Sequence, residues 1–258
     1  MAGEKTPNNN IISLSMFPAI SPLRLKRQFE NITKLLSEAT DKQVVFQTRK
    51  DYPGYYNAVK NEKFDLAIVT AFDYVRIRKD TNYIPILSRV DTSSTKLITT
   101  NMAIKDIKSL ADKKIGFAPE SAGISVMGKY LLARNNLPER NYESIFFDNQ
   151  LSCVQALISE KVDACFVADI MLNEILKYLE INYSVLITFR PDVKQLMLVH
   201  PRIEGYLNKV KEALLALNAT KEGRDILAEA YLFELDEFDG SRYDIYEEML
   251  NYLNQSNM

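Results

Sequence analysis

Short apolar runs and helical stripes follow one another along the chain. Continuous apolar runs are typical of parallel strands covered by helices, because neither face of such a strand meets water. The runs predict strands at 11–16, 43–47, 64–69, 84–90, 96–100, 114–117, 144–147, 162–167, 185–189 and 195–199. Between them, as at 23–39, apolar residues recur every three or four positions, which predicts helices. Strand–helix alternation of this kind predicts an α/β fold with mainly parallel sheets.

One sequence segment, the repeated phrase of this chain, occurs twice, at residues 58–71 and again 98 positions later. Residues 58–71 read AVKNEKFDLAIVTA, and residues 156–169 read ALISEKVDACFVAD. The shared positions are Ala58/Ala156, Glu62/Glu160, Lys63/Lys161, Asp65/Asp163 and Val69/Val167. In both copies an amphipathic helix leads through a charged turn into an apolar strand. The repeat predicts two similarly built α/β lobes with a ligand held between them.

The expected boundaries of the lobes follow from this repeat. One lobe is expected to comprise residues 10–99 and 195–258, including the C-terminal helices, and the other residues 100–194. The chain has eight glycines and no Gly/Ser-rich linker. Extended strands near 99–102 and 190–195 are therefore expected to join the lobes.

Composition and charge argue against several classes of function. The formal net charge of -2 provides no basic face for nucleic acid. The apolar runs are too short to span a bilayer, and no export signal is visible in the opening MAGEKTPNNN. The sole histidine, His200, leaves few options for a Ser–His pair or a metal centre, and nucleotide-binding loops and the hydrolase elbow are absent. No catalytic residue, metal or cofactor is predicted.

Two cysteines, Cys153 and Cys165, lie in no metal-type or redox-type spacing. The pattern places the first on a helix and the second on the next strand. Two buried thiols are the favoured interpretation, and a disulfide is the alternative.

Ligands of open α/β sheets bind at the carboxyl ends of strands, where helix N-termini present free N–H groups. Turns at such positions supply the candidate ligand-binding residues Tyr52, Thr70, Phe72, Glu120, Ser121, Ala122, Asn149, Gln150 and, at the end of the second copy of the repeat, Asp169. Each also has a structural interpretation: Ser121 and Asn149 as helix caps, and Phe72 as core. Their shared placement favours a binding site over isolated structural roles.

Four segments carry a resemblance to a known family. They are Asp51-Tyr52 with its downstream helix, KFDLAIVTAFDY at 63–74, IKSLADKKIGFAPESAG at 107–123 and SEKVDACFVAD at 159–169. Together they resemble the periplasmic solute-binding proteins of phosphate, phosphite and phosphonate ABC transporters, over about residues 11–230. The resemblance implies a type 2 periplasmic-binding-protein fold, with two α/β lobes joined by a two-strand hinge and a cleft between them. It also implies a small-molecule ligand enclosed by hinge motion without turnover, a membrane permease as partner, and a periplasmic or extracytoplasmic location.

The ligand-facing turns depart from the family's pattern. Where members typically carry Ser-Thr-Ser-Gly, this chain has Glu120-Ser121-Ala122-Gly123, and where many carry a histidine it has Gln150. An aromatic residue that often precedes the hinge strand is replaced by Ser93 or Ser94, whereas Tyr52 keeps the family's ligand-contacting type. A carboxylate in a poorly solvated site for a dianion would repel it.

Three interpretations of Glu120 stay open. The protein binds a neutral or cationic solute that Glu120 pairs with, or Glu120 points out of the cleft and main-chain N–H groups bind the anion. In the third, the cleft is degenerate, in a module that serves as an extracytoplasmic sensor domain. The first and third are favoured. The alternative to a transport function is thus the ligand-sensing domain of a membrane receptor such as a histidine kinase, with a signalling domain as its partner.

Overall fold

The strands and helices are those of a computed structural model that describes residues 10–90, 93–190 and 194–256. The strands are β1 (Ile11–Met16), β2 (Gln43–Gln47), β3 (Leu66–Thr70), β4 (Ile84–Arg89), β5 (Thr95–Thr99), β6 (Lys114–Phe117), β7 (Glu143–Phe146), β8 (Ala164–Ala168), β9 (Ser184–Phe189), β10 (Gln195–Val199) and β11 (Leu235–Glu237). The helices are α1 (Pro22–Gln28), α2 (Glu30–Thr40), α3 (Tyr52–Lys60), α4 (Ala71–Ile77), α5 (Gly123–Arg134), α6 (Gln150–Ile158), α7 (Asp169–Leu176), α8 (Leu207–Ala216), α9 (Lys221–Glu229) and α10 (Asp244–Ser256). The predicted polar start at 1–9 and part of the second predicted hinge segment, 191–193, lie outside the described residues.

The chain forms two compact units, each built on one sheet. Unit 1 contains described residues 10–90 and 194–241, and unit 2 contains 93–190 and 242–256. The sheet of unit 1 has the order β11-β4-β10-β3-β1-β2, and that of unit 2 has the order β7-β6-β8-β5-β9. The predicted class of two α/β lobes is confirmed.

Both sheets have the same arrangement around a buried central strand. In unit 1, β3 pairs in parallel with β1 and antiparallel with β10. In unit 2, β8 pairs in parallel with β6 and antiparallel with β5. The first four residues of each central strand are fully buried, as continuous apolar runs predict.

The repeated phrase folds into the same structure twice. After α3, the N–H of Lys63 donates to the carbonyl of Ala58, and after α6 that of Lys161 donates to the carbonyl of Ala156. Glu62 and Glu160, which precede these lysines, take left-handed φ values of 54° and 55°. A left-handed residue closed by such a bond is a common way to end a helix. The repeat therefore encodes a helix stop as well as a strand.

An aspartate then starts each central strand in the same way. Asp65 Oδ2 accepts from the N–H of Ser13 at 2.7 Å, and Asp163 Oδ2 accepts from the N–H of Lys114 at 2.9 Å. Ser13 and Lys114 belong to the parallel neighbours β1 and β6. The aspartate of the repeat thus fastens the central strand to its neighbour in both units.

Two segments lie in a different unit from the one that the predicted boundaries gave them. Strand β5 belongs to unit 2 because it pairs with β8 and β9, so the first boundary falls near residue 91 rather than 99. Helix α10 also belongs to unit 2 and packs on α5 instead of on the first lobe. The Tyr130 hydroxyl donates to Glu248 Oε2 at 2.6 Å, and the Tyr130 and Tyr252 rings lie 5.8 Å apart.

The predicted helix at 23–39 is divided into α1 and α2. The residue between them, Phe29, has φ −95° and ψ 2°, is completely buried, and stacks on Phe46 at 4.5 Å. Burying this ring in the core of unit 1 turns the chain at the point where the apolar spacing alone predicts a continuous helix.

The two cysteines form a disulfide, so the favoured prediction of two free thiols is wrong and the alternative is correct. The bond joins Cys153 of α6 to Cys165 of β8, whose Cα atoms are 6.1 Å apart. Both cysteines are fully buried in a cluster that includes Val154 and Val167. The disulfide links the helix of the second repeat copy to the strand that follows it.

Candidate functional site

Two predicted residues of unit 1, Tyr52 and Thr70, meet at a third residue, Asp73. Tyr52 is the first residue of α3, which starts there because Asp51 accepts from the N–H of Gly54 at 2.8 Å and Pro53 suits the first turn. Thr70 ends β3 and caps α4, with its Oγ1 accepting from the N–H of Asp73 at 3.1 Å. The caps of two helices thus bring Tyr52, Thr70 and Asp73 together at the carboxyl end of β3.

Asp73 accepts hydrogen bonds from both hydroxyls. Its Oδ2 accepts from Thr70 Oγ1 at 2.8 Å and from the hydroxyl of Tyr52 in a short hydrogen bond. Its Oδ1 has no hydrogen-bond partner among the described residues, and the Nη1 atom of Arg76 lies 3.8 Å from it. Only 2% of Asp73 is exposed, whereas Tyr52 and Thr70 are partly exposed. The carboxylate is therefore an interior anchor for two side chains that reach the surface of unit 1.

Burial dominates the electrostatics of this cluster. Burial raises the pKa of Asp73 above its usual value, even though hydrogen bonds from Tyr52 and Thr70 and the charge of Arg76 act in the opposite direction. Burial, followed by the negative charge of Asp73, also raises the pKa of Tyr52 well above its usual value. The Tyr52 hydroxyl consequently keeps its proton and directs it to Asp73.

Phe72, the third predicted residue of unit 1, lies in the core. Its ring is 2% exposed, and the guanidinium of Arg76 lies 5.6 Å from its centroid and 4.3 Å from that of Tyr56. A different ring, that of Phe17 after β1, packs edge-on against Tyr52 at 6.3 Å. Phe17 is partly exposed and therefore better placed than Phe72 to meet a solute.

In unit 2, Glu120, Ser121 and Ala122 form the turn between β6 and α5. The side chain of Glu120 is 71% exposed, and its Oε1 lies 3.4 Å from Lys129 Nζ. Lys129 is nearly buried and is held more closely by Glu139, at 2.7 Å. Ser121 is partly exposed and Ala122 is buried, and α5 begins after Ala122 without a side-chain cap. The only hydroxyl of the predicted run 120–122 is therefore that of Ser121.

Asn149 and Gln150 have structural partners. Asn149 caps α6, with its Oδ1 accepting from the N–H of Ser152 at 2.9 Å. Gln150 Oε1 accepts from the N–H of Ala168 at 2.8 Å. Gln150 is the first residue of α6, as Tyr52 is of α3, so the repeat places an amide in unit 2 where unit 1 has a phenol.

Asp169, the first residue of α7, is paired within unit 2. Its Oδ2 accepts from the backbone N–H of Ser94 at 2.9 Å and, in a short bond, from the Ser94 hydroxyl, while its Oδ1 lies 2.7 Å from Lys96 Nζ. Burial alone would raise the pKa of Asp169, but the hydrogen bonds from Lys96 and Ser94 lower it below its usual value. Ser93 is partly exposed and precedes Ser94, whose N–H and hydroxyl donate to Asp169.

Sequence reasoning missed Asp73, Ser94 and Lys96 as members of these clusters. Asp73 had a signal, since Thr70-x-x-Asp73 fits the pattern of a capping threonine followed by an acid three residues later. No sequence signal points to Ser94 and Lys96, because about 75 residues separate them from Asp169, which they contact. Within 10–90, 93–190 and 194–256, no group of His, Cys, Asp and Glu side chains could hold a metal ion. In the same ranges no helix is both long and apolar enough to cross a membrane.

Comparison with protein families gives one match over most of the chain. The family described as "ABC transporter, phosphonate, periplasmic substrate-binding protein" matches residues 14–243. No curated protein matches the sequence.

Several solved structures share the fold at low sequence identity. PhnD1 of Prochlorococcus marinus in complex with methylphosphonate is 17% identical, with a TM-score of 0.83 over 96% of this chain and 99% of that chain. A binding-protein component of an ABC phosphonate transporter from Pseudomonas aeruginosa is 16% identical, with a TM-score of 0.79 over 96% and 87%. The alkanesulfonate-binding protein SsuA of Xanthomonas axonopodis pv. citri bound to MOPS is 12% identical, with a TM-score of 0.67 over 96% and 93%. At these identities the structures show a common fold.

Proposed function

The chain belongs to the family of periplasmic substrate-binding proteins of phosphonate ABC transporters, and on that basis we propose that it binds a small solute through an altered anion site. Membership makes it an extracytoplasmic solute-binding protein and not an enzyme. The buried disulfide agrees with that location, since disulfides persist in oxidising compartments. The class of solute depends on the turns that follow the strands, above all on residues 120–122 after β6.

The turn at 120–122 carries the proposal. It offers one hydroxyl, that of Ser121, beside the carboxylate of Glu120. Glu120 and Glu139 share one lysine, Lys129, so the cluster keeps a net negative charge. A dianion that approaches this turn meets repulsion where hydroxyl donors would attract it. A neutral or cationic solute, or one with a single diffuse negative charge, fits the turn better than a phosphonate dianion does.

A thermal-shift panel tests solute binding. Phosphate, phosphite, methylphosphonate, small amines and small amides are added separately, because a ligand that binds only the folded protein raises the melting temperature by mass action. We expect a neutral or cationic compound to produce a larger shift than methylphosphonate. A chain that responds to none of these compounds would not be a receptor of the proposed kind.

The altered anion site is tested by titrating methylphosphonate calorimetrically into the wild type, Glu120→Ser and Glu139→Ser. Because Glu120 is largely exposed, we expect Glu120→Ser to raise the affinity by only about three- to tenfold. Glu139→Ser is the matched control: it removes the same charge from Lys129 but leaves the turn unchanged, and a change below about twofold is expected. Equal effects of the two variants, or no effect of Glu120→Ser, would refute a role of Glu120 in excluding the anion.

A sensor domain of a membrane receptor is the second candidate, and the same departure of residues 120–122 from an anion-binding run favours it. A transport receptor has to deliver its solute to a permease, whereas a sensor has to pass on only a conformational signal. Transport of a bound solute into vesicles containing the cognate permease is expected for the first candidate. Stable association with a receptor kinase or cyclase, and no stimulation of transport, would support the second.

A further inference from the structure

We propose that Asp73 reverses the hydrogen-bonding polarity of the ligand-binding edge of unit 1, so that Tyr52 and Thr70 accept hydrogen bonds from a solute that carries N–H or O–H donors. The inference rests on the proposed function, because it takes the strand-end turn at Thr70 as a place where the solute binds. It identifies a specificity-determining residue, Asp73, and the chemical class of the group that faces it.

The direction of the hydrogen bonds follows from the chemistry of the groups. An ionised carboxylate only accepts, and a hydroxyl has one proton to donate. Thr70 Oγ1 and the Tyr52 hydroxyl both contact Asp73 Oδ2, so each directs its proton to that atom. A protonated Asp73 would carry a single proton, so at most one of the two bonds could reverse. In either state at least one of the two hydroxyls, which belong to partly exposed residues, has only lone pairs left for a solute.

The same edge holds two more acceptors without partners. Asp73 Oδ1 is buried and has no hydrogen-bond partner among the described residues. Gln195 Oε1 is likewise buried and unpartnered in that part of the chain. Gln195 of β10 pairs directly with Thr70 of β3, and side chains of directly opposed residues lie on the same face of a sheet. Buried acceptors without donors are unfavourable, and a donor-bearing solute is the kind of group that would satisfy them.

Two arginines near the cluster limit what net charge can explain: Arg89 of β4 pairs directly with Gln195 and lies against the Phe233 ring, and Arg76 adjoins Asp73. The guanidinium of Arg76 is 3.8 Å from Asp73 Oδ1, beyond hydrogen-bond distance, and lies against the rings of Tyr56 and Phe72. The nearby cation offsets part of the charge of Asp73, but it does not change which atoms donate. The specificity therefore comes from the direction of hydrogen bonds and applies to neutral donors, such as amides, as well as to ammonium groups.

The experiment compares methylphosphonate with aminomethylphosphonate, which differ by one amine, in calorimetric titrations of the wild type and three variants. We expect the wild type to prefer the amine-bearing probe by at least about tenfold. Tyr52→Phe removes an acceptor and leaves Asp73 bound to Thr70, so the preference for aminomethylphosphonate over methylphosphonate should fall several-fold. A loss of methylphosphonate binding as large as or larger than that of aminomethylphosphonate would overturn the inference, because it would mean that the phenol donates to the anion.

Asp73→Val and Asp73→Asn separate polarity from charge. Asp73→Val frees both hydroxyl protons and should abolish or invert the preference for the amine. Asp73→Asn keeps an acceptor for both hydroxyls and should keep the sign of the preference, although its size falls. A preference that is lost equally in both variants would show that charge alone selects the solute and would overturn the inference.

The result does not depend on the folding of one variant. If Asp73→Val does not fold, as judged by circular dichroism, the comparison of Tyr52→Phe with the wild type decides. If neither phosphonate binds the wild type, the same comparison is made with acetamide and acetate, and failure of acetamide to bind more tightly than acetate rejects the proposed ligand class. The proposed function is tested independently, through unit 2 by the Glu120→Ser titration and through the thermal-shift panel.

Discussion

Two aspartates of unit 1, the buried Asp73 and the partly buried Asp65, have pKa values shifted in opposite directions because their hydrogen-bond partners differ. Asp73 has two hydroxyl donors and the guanidinium of Arg76 3.8 Å from its Oδ1, yet burial raises its pKa. Asp65 accepts from the N–H and hydroxyl of Ser13 and from Arg202 Nε, and these bonds outweigh burial and lower its pKa. Whether a carboxylate stabilises the fold thus depends on whether its donors outweigh the loss of solvation. The sequence shows where the aspartates are, but it does not show which hydrogen-bond donors will surround them.

The two aspartates should change stability with pH in opposite directions. The lowered pKa of Asp65 means that its contribution is present above the unfolded pKa of about 3.9 and is lost as pH falls through the lower folded value. Asp65→Asn should therefore destabilise the protein by about 1–2 kcal/mol at pH 7 and by less at acid pH. The raised pKa of Asp73 means that its ionisation opposes folding above the folded pKa. Asp73→Asn should accordingly stabilise the protein at pH 7, and that gain should vanish as pH falls towards about 3.9.

Urea unfolding of the wild type and both variants between pH 7 and pH 3 measures this difference. Parallel pH profiles of the two variants would contradict the opposite pKa shifts. Ser13→Ala serves as a control for Asp65, because it removes the hydroxyl that donates to the carboxylate and accepts from the Asp65 N–H, and leaves the carboxylate in place.

At the scale of elements, α3 and α6 end with the same backbone conformation, but the residue that ends each helix makes different contacts. Glu62 and Glu160 both occupy the left-handed region that favours glycine. Glu62 also accepts from the N–H and side-chain amide of Asn82 at 2.5 and 3.0 Å. Glu160 is exposed, and its side chain makes no hydrogen bond or ion pair within residues 10–90, 93–190 and 194–256. The second copy therefore keeps the backbone conformation without a contact that compensates for its strain.

Glycine substitution should distinguish the two copies. Glu160→Gly relieves the left-handed conformation, and we expect the free energy of unfolding to rise by about 0.5–1 kcal/mol after the greater chain entropy of glycine is deducted. Glu62→Gly gains the same relief but loses the hydrogen bonds from Asn82, so no net gain, or a loss of about 1 kcal/mol, is expected. Chemical denaturation of both variants measures the difference, and equal effects would show that the contacts of Glu62 contribute nothing.

At the scale of the whole molecule, the last helix completes unit 2 although the chain reaches it only after finishing unit 1. Helix α10 is amphipathic, and Tyr246 and Met249 on it are buried. Its contacts with α5 include the Tyr130–Glu248 hydrogen bond and the packing of Tyr130 against Tyr252. Unit 2 therefore includes a helix from the C-terminal part of the sequence that packs on α5.

Removal of residues 244–258 should destabilise unit 2 selectively. We expect the amides of α5 to exchange with solvent at least about tenfold faster, because loss of buried contacts lowers the free energy of local opening. Amides of β1 and β2 in unit 1 should keep their exchange rates. Hydrogen exchange measured by mass spectrometry tests this, with Tyr130→Phe as a milder control that removes only the hydrogen bond to Glu248. Faster exchange in β1 and β2 instead of α5 would assign α10 to unit 1.

The sequence alone determined the α/β class, the two similar lobes and the turns at the strand ends. These follow from local patterns: apolar runs that suit covered strands, and a phrase that repeats because the same helix stop and strand start are built twice. Capping residues such as Asp51, Thr70 and Asn149 are also recognisable, since a cap acts on the N–H groups two or three residues away.

Only the tertiary structure decided which residues face one another across long stretches of chain. The pairing of Cys153 with Cys165, the packing of α10 on α5 and the meeting of Tyr52 with Asp73 depend on how elements pack, which no local pattern specifies. The directions of the hydrogen bonds at Asp73 likewise follow from burial and from the partners that packing brings to it. Local patterns predict the scaffold, whereas the hydrogen bonds of Tyr52 and Thr70 are set by the carboxylate of Asp73, which folding brings next to both.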